Sequence, residues 1–275
     1  MALRVLVSLS LISMVVASPT VVVTGATGRT GLLLYNMLKA KGVDVRALVR
    51  NATKARDLLN CSSCNQSEGI YVGDVTKPET LTAAMTGATA LAIVTSASPH
   101  CKDFKDPSSC TYPKGAYPID VDFHGGKAQI EAFAKVSKGG PVVLCSSMGT
   151  TSPDGFLEKL ANGHIGFFKL NEESFLMSSG LPFTIIKPCG LSDDKASQRE
   201  LLVGHDDEMH PNPPMIPRAD VARVMAEALL QPKLAEGLRF DLCSQVGTPT
   251  KDVRAIFDAA RFPWQHPVQP AELLM

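Results

Sequence analysis

The chain has 275 residues, of which 45% are hydrophobic and 20% charged, so one sizeable domain with a substantial core is expected. Lys plus Arg and Asp plus Glu number 27 each, which excludes a global field favouring nucleic acid or an anionic membrane; charge recognition must be local. No heptad pattern, internal repeat or low-complexity block interrupts the sequence.

Met1-Ala2-Leu3-Arg4, an apolar run over 5–16 and Ala17-Ser18-Pro19 have the charged, apolar and small-residue order of a secretory signal peptide, expected over 1–18. The run is short for a membrane span, and no span is expected in the mature chain. A buried first strand or helix is the alternative, but residues 20–23 already supply the first strand. The mature part, 19–275, reads as a single nucleotide-binding domain with a small substrate-side lobe at about 191–218 and a C-terminal helix within 249–260.

Val21-Val22-Val23 leads through Thr24-Gly25-Ala26-Thr27-Gly28-Arg29-Thr30-Gly31 into Leu32-Leu33-Leu34, a strand, a glycine-spaced turn and a helix. Glycine is needed where a side chain would clash with the turn, with an approaching pyrophosphate, or with the helix packing on its strand. The helix start then offers free N–H groups and the positive end of its dipole to phosphate. A plain glycine turn is the bland alternative; the strand–turn–helix context favours the dinucleotide cradle.

The helix runs over 30–40 and ends near Gly42, and 43–49 alternates as a second strand. Strands at 70–72 and 90–94 flank a helix at 79–85, and 100–118 reads as a long loop. A helix over 120–136 precedes a buried strand at 141–145, and a helix over 162–177 leads to a strand at 183–186. The polar, proline-rich stretch 192–217 forms the lobe. Helix 219–230, strand 238–242 and a last helix over 251–260 complete the chain. Alternation of strands and helices implies an α/β fold with a doubly wound parallel sheet of Rossmann type, covered on both faces.

Of seven cysteines, Cys61 and Cys64 lie in a polar insertion and Cys101 and Cys110 flank the loop 102–109, which suggests local disulfides in an oxidising compartment. Zinc is the competing reading of Cys61 and Cys64, but no second C-x-x-C accompanies them, and His100 and His124 lack ligand spacing; no metal is expected. Cys145, Cys189 and Cys243 end apolar runs and read as small buried hydrophobes. Glycosylation sequons begin at Asn51, Asn60 and Asn65, of which the latter two are open to glycans if the leader acts.

The residue closing the second strand selects the cofactor: a carboxylate binds the ribose 2′-hydroxyl of NAD, and an arginine accommodates the 2′-phosphate of NADP. Here it is Arg50, followed by Asn51 with Lys54 and Arg56 nearby, and no carboxylate lies between 48 and 56, so NADP is favoured over NAD. Arg29 adds a second guanidinium on that side. A solvated basic cluster is the structural alternative.

Together with the glycine loop, Gly73-Asp74-Val75, Ser146-Ser147-Met148-Gly149, the segments 184–191 and 217–221, and Glu200-Leu201-Leu202-Val203-Gly204 with Asp206-Asp207-Glu208 resemble the atypical short-chain dehydrogenase/reductases. The resemblance is to the NmrA-like, NAD(P)-binding Rossmann proteins of plants and algae, and covers about 20–260. It implies that Asp74 and Val75 meet the adenine, that Thr95 and Ser96 line the ribose and pyrophosphate, and that Pro188 and the residues to Gly190 lie near the nicotinamide. Asp74 as a turn cap, and Thr95 and Ser96 as loop formers, remain the plainer readings.

Reductases of the wider family use Tyr-x-x-x-Lys, the lysine lowering the tyrosine pKa for proton exchange beside the hydride. Lys169 matches that lysine, but Ile165 stands at the tyrosine position and exchanges no proton. Ser147 is a candidate hydrogen-bond donor to a substrate carbonyl, Lys169 a candidate holder of the nicotinamide ribose, and Tyr112 and Tyr117 are loop phenols that either reach in or cover a core. Two functions follow: an NADP-dependent oxidoreductase or epimerase on a small molecule, or an NADP(H)-sensing regulatory protein without catalysis. The compartment expected is the secretory pathway, or the plastid of an alga, where a signal peptide is the first step of import.

Overall fold

A computed structural model describes residues 19–265 except 104 and 138; the expected leader at 1–18 lies outside the described residues. The frame is a ten-stranded sheet. In chain order, β1 (Thr20–Thr24) leads to α1 (Arg29–Ala40), β2 (Asp44–Val49), α2 (Ala52–Leu59), β3 (Ile70–Val72), α3 (Thr82–Met85) and β4 (Ala90–Ile93). A small hairpin of β5 (His100–Cys101) and β6 (Cys110–Thr111) follows, then α4 (Gly125–Val136), β7 (Val142–Cys145), α5 (Phe156–Lys159), α6 (Ile165–Ser178) and β8 (Phe183–Pro188). Strands β9 (Gly190–Ser192), β10 (Glu200–Gly204) and β11 (Met215–Pro217), helices α7 (Arg218–Leu230) and α8 (Pro232–Ala235), β12 (Leu238–Gln245) and α9 (Arg254–Ala259) complete it.

The sheet order is β3-β2-β1-β4-β7-β8-β12-β11-β9, with β10 paired to β12. From β3 to β12 every neighbouring pair is parallel. Central strands are accordingly apolar throughout: Val21, Val22 and Val23 are wholly buried, because parallel sheets are covered on both sides. Leu34 and Leu38 of α1 share one core with Val221 and Met225 of α7. On the opposite face Ile130 and Phe133 of α4 pack with Leu176 of α6. This is the α/β Rossmann architecture read from the alternating pattern.

Several boundaries move for local reasons. The helix expected from 162 begins at Ile165, because Ala161, Asn162 and His164 take positive φ angles of 53°, 51° and 49°, which interrupt a right-handed helix. The helix expected over 120–136 starts with a π-helical turn at Ile119–His124. Most of the difference lies in 191–218. There β10 runs antiparallel to β12 and β11 runs antiparallel to β12 and parallel to β9, so the segment extends the main sheet.

Bonds join Cys61 to Cys64, Cys101 to Cys110 and Cys189 to Cys243, leaving Cys145 free. The last pair corrects the reading of Cys189 and Cys243 as unbonded hydrophobes. Both are buried as expected, but the pairing of β8 with β12 brings their Cα atoms to 5.2 Å, a contact across 54 residues that local sequence does not reveal. At Cys61 and Cys64 the sulfurs bond to each other, and Glu68 accepts the N–H groups of Ser62, Ser63 and Cys64. The carboxylate is thus engaged by the backbone of the turn.

Candidate functional site

A cavity of about 1200 Å³ opens along the carboxyl ends of β1, β2, β4, β7 and β8. It straddles the point where the sheet order reverses between β1 and β4, where open α/β sheets take their ligands. The glycine loop forms its floor. Gly25 has φ +67°, and a Cβ there would lie 2.8 Å from the Val94 carbonyl oxygen. At Gly31 a Cβ would run into the carbonyl oxygen of Gly25 and lie 2.8 Å from its carbon, so backbone alone fits between the loop and the start of α1. Glycine at both positions lets the loop pack on backbone while the start of α1 presents its free N–H groups to the cavity, a fit for an anionic phosphate. Gly28, Thr27 and Thr30 line it as well, whereas Ala26 is wholly buried beneath.

At one end of the cavity Arg50 and Lys54 are exposed and line the wall. Asn51 does not: its side chain caps α2, accepting from Lys54 N at 3.0 Å, and so orients the helix that carries Lys54. Arg29 lines the cavity and is bridged at 3.2 Å to Asp193, which also holds Arg218 at 2.7 Å. Burial and then the neighbouring Arg29 charge lower the pKa of Arg218, and Asp193 offsets them only in part. Two guanidiniums thus share one carboxylate at the mouth of the cleft.

Val75 lines the cavity beside Gly73, while Asp74 accepts from Thr76 N at 3.0 Å and Thr76 Oγ1 at 2.9 Å, a local turn cap. Thr95 and Ser96 line the wall after β4; Thr95 Oγ1 accepts from Gln129 Nε2 at 3.1 Å. Pro188, Cys189 and Gly190 line the far end, together with Ser147, Ile165 and Lys169.

That far end holds its polar groups tightly. Ser147 Oγ donates to the Met148 carbonyl at 3.0 Å. Lys169 Nζ lies 2.9 Å from Asp122 Oδ1, and both side chains are buried. Burial opposes the Lys169 charge, but Asp122 and Glu172 more than offset it and hold the ammonium above its ordinary range. Burial also raises the Glu172 carboxyl well above the carboxylate range, which the Lys169 charge offsets only in part. Ile165, four residues before Lys169, lines the wall with an aliphatic side chain. Neither Tyr112 nor Tyr117 is among the lining residues. Tyr112 is buried, and burial, then the Asp122 charge, pushes its phenol up to about 12.

Sequence reasoning gave no role to the residues that organise this end. Asp122, Gln129, Glu173 and Arg218 are buried polar groups placed by distant partners. Ser146 donates to Glu173, which pairs with Arg239 at 2.8 Å. Asp207 had a trace in the Asp206-Asp207-Glu208 motif, without a role attached. It lines the cavity.

A family profile described as NAD(P)H-binding matches residues 25–232. An uncharacterized chloroplastic protein of Arabidopsis thaliana is 40% identical over 249 residues, 86% of this chain and 74% of that protein. Sanguinarine reductase of Eschscholzia californica is 36% identical over 273 residues, covering 89% of this chain and 97% of that enzyme. Among solved structures, an oxidoreductase of Lactococcus lactis superposes with a TM-score of 0.64 at 18% identity, covering 88% of this chain and 99% of that one, a likeness of fold. No helix among the described residues is long and apolar enough to cross a membrane.

Proposed function

Because this chain belongs to the NAD(P)H-binding family, of plant and algal type as its motifs resemble, and takes a nicotinamide cofactor, we propose that it binds NADP(H) and reduces a small molecule. The observation that carries the reading is the pairing of the Gly25–Gly31 cradle with Arg50 and Lys54 at one end of a single cleft. A 2′-phosphate supplies the anion those two side chains would meet, and the absence of a carboxylate among them disfavours the 2′-hydroxyl of NAD. The volume of about 1200 Å³ lies just above the roughly 300–1,000 Å³ of ordinary ligand pockets, in keeping with an extended dinucleotide.

When bound, the cofactor supplies a hydride at the nicotinamide. Asp122 keeps Lys169 charged and fixed, suited to hold a ribose hydroxyl. Ser147 is the side-chain hydroxyl nearest in role to a proton donor or carbonyl ligand, once it gives up its bond to Met148. The identity of sanguinarine reductase as a reductase supports this reading. Ile165 favours a second reading, an NADP(H)-sensing protein without turnover, because the usual acid/base is missing.

Consumption of NADPH with a panel of small carbonyl compounds separates the two. Turnover that falls at least about tenfold in Ser147→Ala supports the reductase with Ser147 in the named role. Tight NADPH binding without consumption of any compound in the panel supports the sensor. The chloroplastic relative supports a plastid destination over simple secretion, tested by locating a fluorescent fusion of the full chain.

A further inference from the structure

The turn 147–151 walls the far end of the cleft, and within it no regular element holds residues 147–151. Its anchor reaches across from a different part of the chain. Gly149 N donates to Asp207 Oδ1 at 2.7 Å, Thr151 N donates to Oδ2 at 2.8 Å, and the Thr151 hydroxyl donates to the same carboxylate. Asp207 is fixed in turn from below. Lys187 Nζ lies 2.6 Å from Asp207 Oδ1 and 3.1 Å from Asp241 Oδ1, and Asp207 N donates to Asp241 Oδ2 at 2.7 Å. Lys187 on β8 and Asp241 on β12 are direct partners in the parallel register, and both are wholly buried.

Two features separate this cluster from ordinary packing. Asp206 and Asp207 both sit in the left-handed region, at φ 55° and 64°, a strained pair that persists only where the surroundings over-determine it. An ammonium buried with two carboxylates also costs desolvation that apolar side chains of similar volume would avoid, so such a cluster contributes direction more than stability. Every hydrogen bond that the Asp207 carboxylate accepts comes from the turn or from Lys187 on β8.

We propose that Asp207 is a positioning residue that clamps the 147–151 turn against the nicotinamide half of the bound cofactor, leaving the adenosine half to the Arg50 and Lys54 end. The inference rests on the NADP(H) reading above. Burial works against the Asp207 charge, but Lys187, Thr151 and Gly149 more than offset it and take the carboxyl down to about 2. Asp207 therefore acts as a fixed acceptor and not as an acid.

The test compares two ligands by calorimetry: NADPH, and adenosine 2′,5′-bisphosphate, which lacks the nicotinamide half. In Asp207→Asn an amide nitrogen faces donors, the turn is released, and NADPH binding weakens about tenfold while the bisphosphate stays within about twofold. The fluorescence of bound NADPH, which reports the surroundings of the nicotinamide, shifts toward that of the free cofactor. Thr151→Val removes one exposed hydroxyl and leaves the buried cluster intact, so it folds even if Asp207→Asn does not; it shows the same selective loss, smaller in size. Equal weakening of both ligands, or weakening of neither, overturns the positioning role. Failure of the wild-type chain to bind either ligand overturns the cofactor reading and this proposal with it, an outcome distinct from a variant that matches a binding-competent wild type.

Discussion

Lys169→Met removes the ammonium from a pair in which the Lys169 side chain is 6% exposed and that of Asp122 is 0% exposed, 2.9 Å apart. Asp122 would keep the Ala97 N–H at 2.9 Å as a hydrogen-bond donor, but its charge would lose the cation that lies against Oδ1. Breaking a buried pair by deleting one partner costs about 3–5 kcal/mol, because the remaining charge is stranded. That is a large part of the roughly 5–15 kcal/mol that holds a typical domain together. Adding Asp122→Asn removes the stranded charge while keeping an acceptor for Ala97 N, so the double variant recovers most of the loss. Urea unfolding of the wild type, both single variants and the double variant measures the coupling, expected to exceed about 2 kcal/mol. Lys169 is held above its ordinary value, so its contribution is complete below an unfolded pKa of about 10.4 and fades only as pH rises through the higher folded value. The penalty should therefore be constant between about pH 7 and 9. Additive single variants, each costing under about 1 kcal/mol, would refute the buried-pair argument.

Asp193→Ala frees Arg29 and Arg218 from their shared carboxylate and should tighten NADPH binding about two- to fivefold at low salt, an effect that shrinks as salt is added. Asp207, held low at about 2, contributes stability that is present above an unfolded pKa of about 3.9 and lost as pH falls through the folded value. Acid unfolding curves followed by circular dichroism should thus show a loss between about pH 4 and 2 that is missing in Asp207→Asn. Alkylation of the protein under denaturing, non-reducing conditions should label Cys145 alone, with the cysteines of the three bonded pairs labelled only after reduction. Labelling of Cys189 and Cys243 without reductant would remove the third bond.

The parts of the fold legible in the sequence are those that local chemistry dictates. Val21-Val22-Val23 is apolar because a central parallel strand is buried on both faces, and Gly25 and Gly31 are glycine because backbone occupies the space of a Cβ. The strand at Glu200–Gly204 was hidden in a stretch read as a lobe, because its partner β12 lies some forty residues further along the chain and its own residues are only partly apolar. Asp74 and Asn51 share the residue types of ligand-binding positions and of caps, and here their oxygens accept from Thr76 and Lys54. Asp207, Asp122 and the Cys189–Cys243 bond depend on contacts between distant segments, which spacing along the chain does not encode.

On the function proposed above, this cleft holds a nicotinamide cofactor by its 2′-phosphate. Isothermal titration of the wild type and Arg50→Glu with NADPH and NADH tests it most directly. The wild type should bind NADPH at least about tenfold more tightly than NADH, and Arg50→Glu should erase or invert that ratio by replacing a cation with a carboxylate at the ribose. An unchanged NADPH affinity in Arg50→Glu, or equal binding of the two cofactors by the wild type, would contradict it.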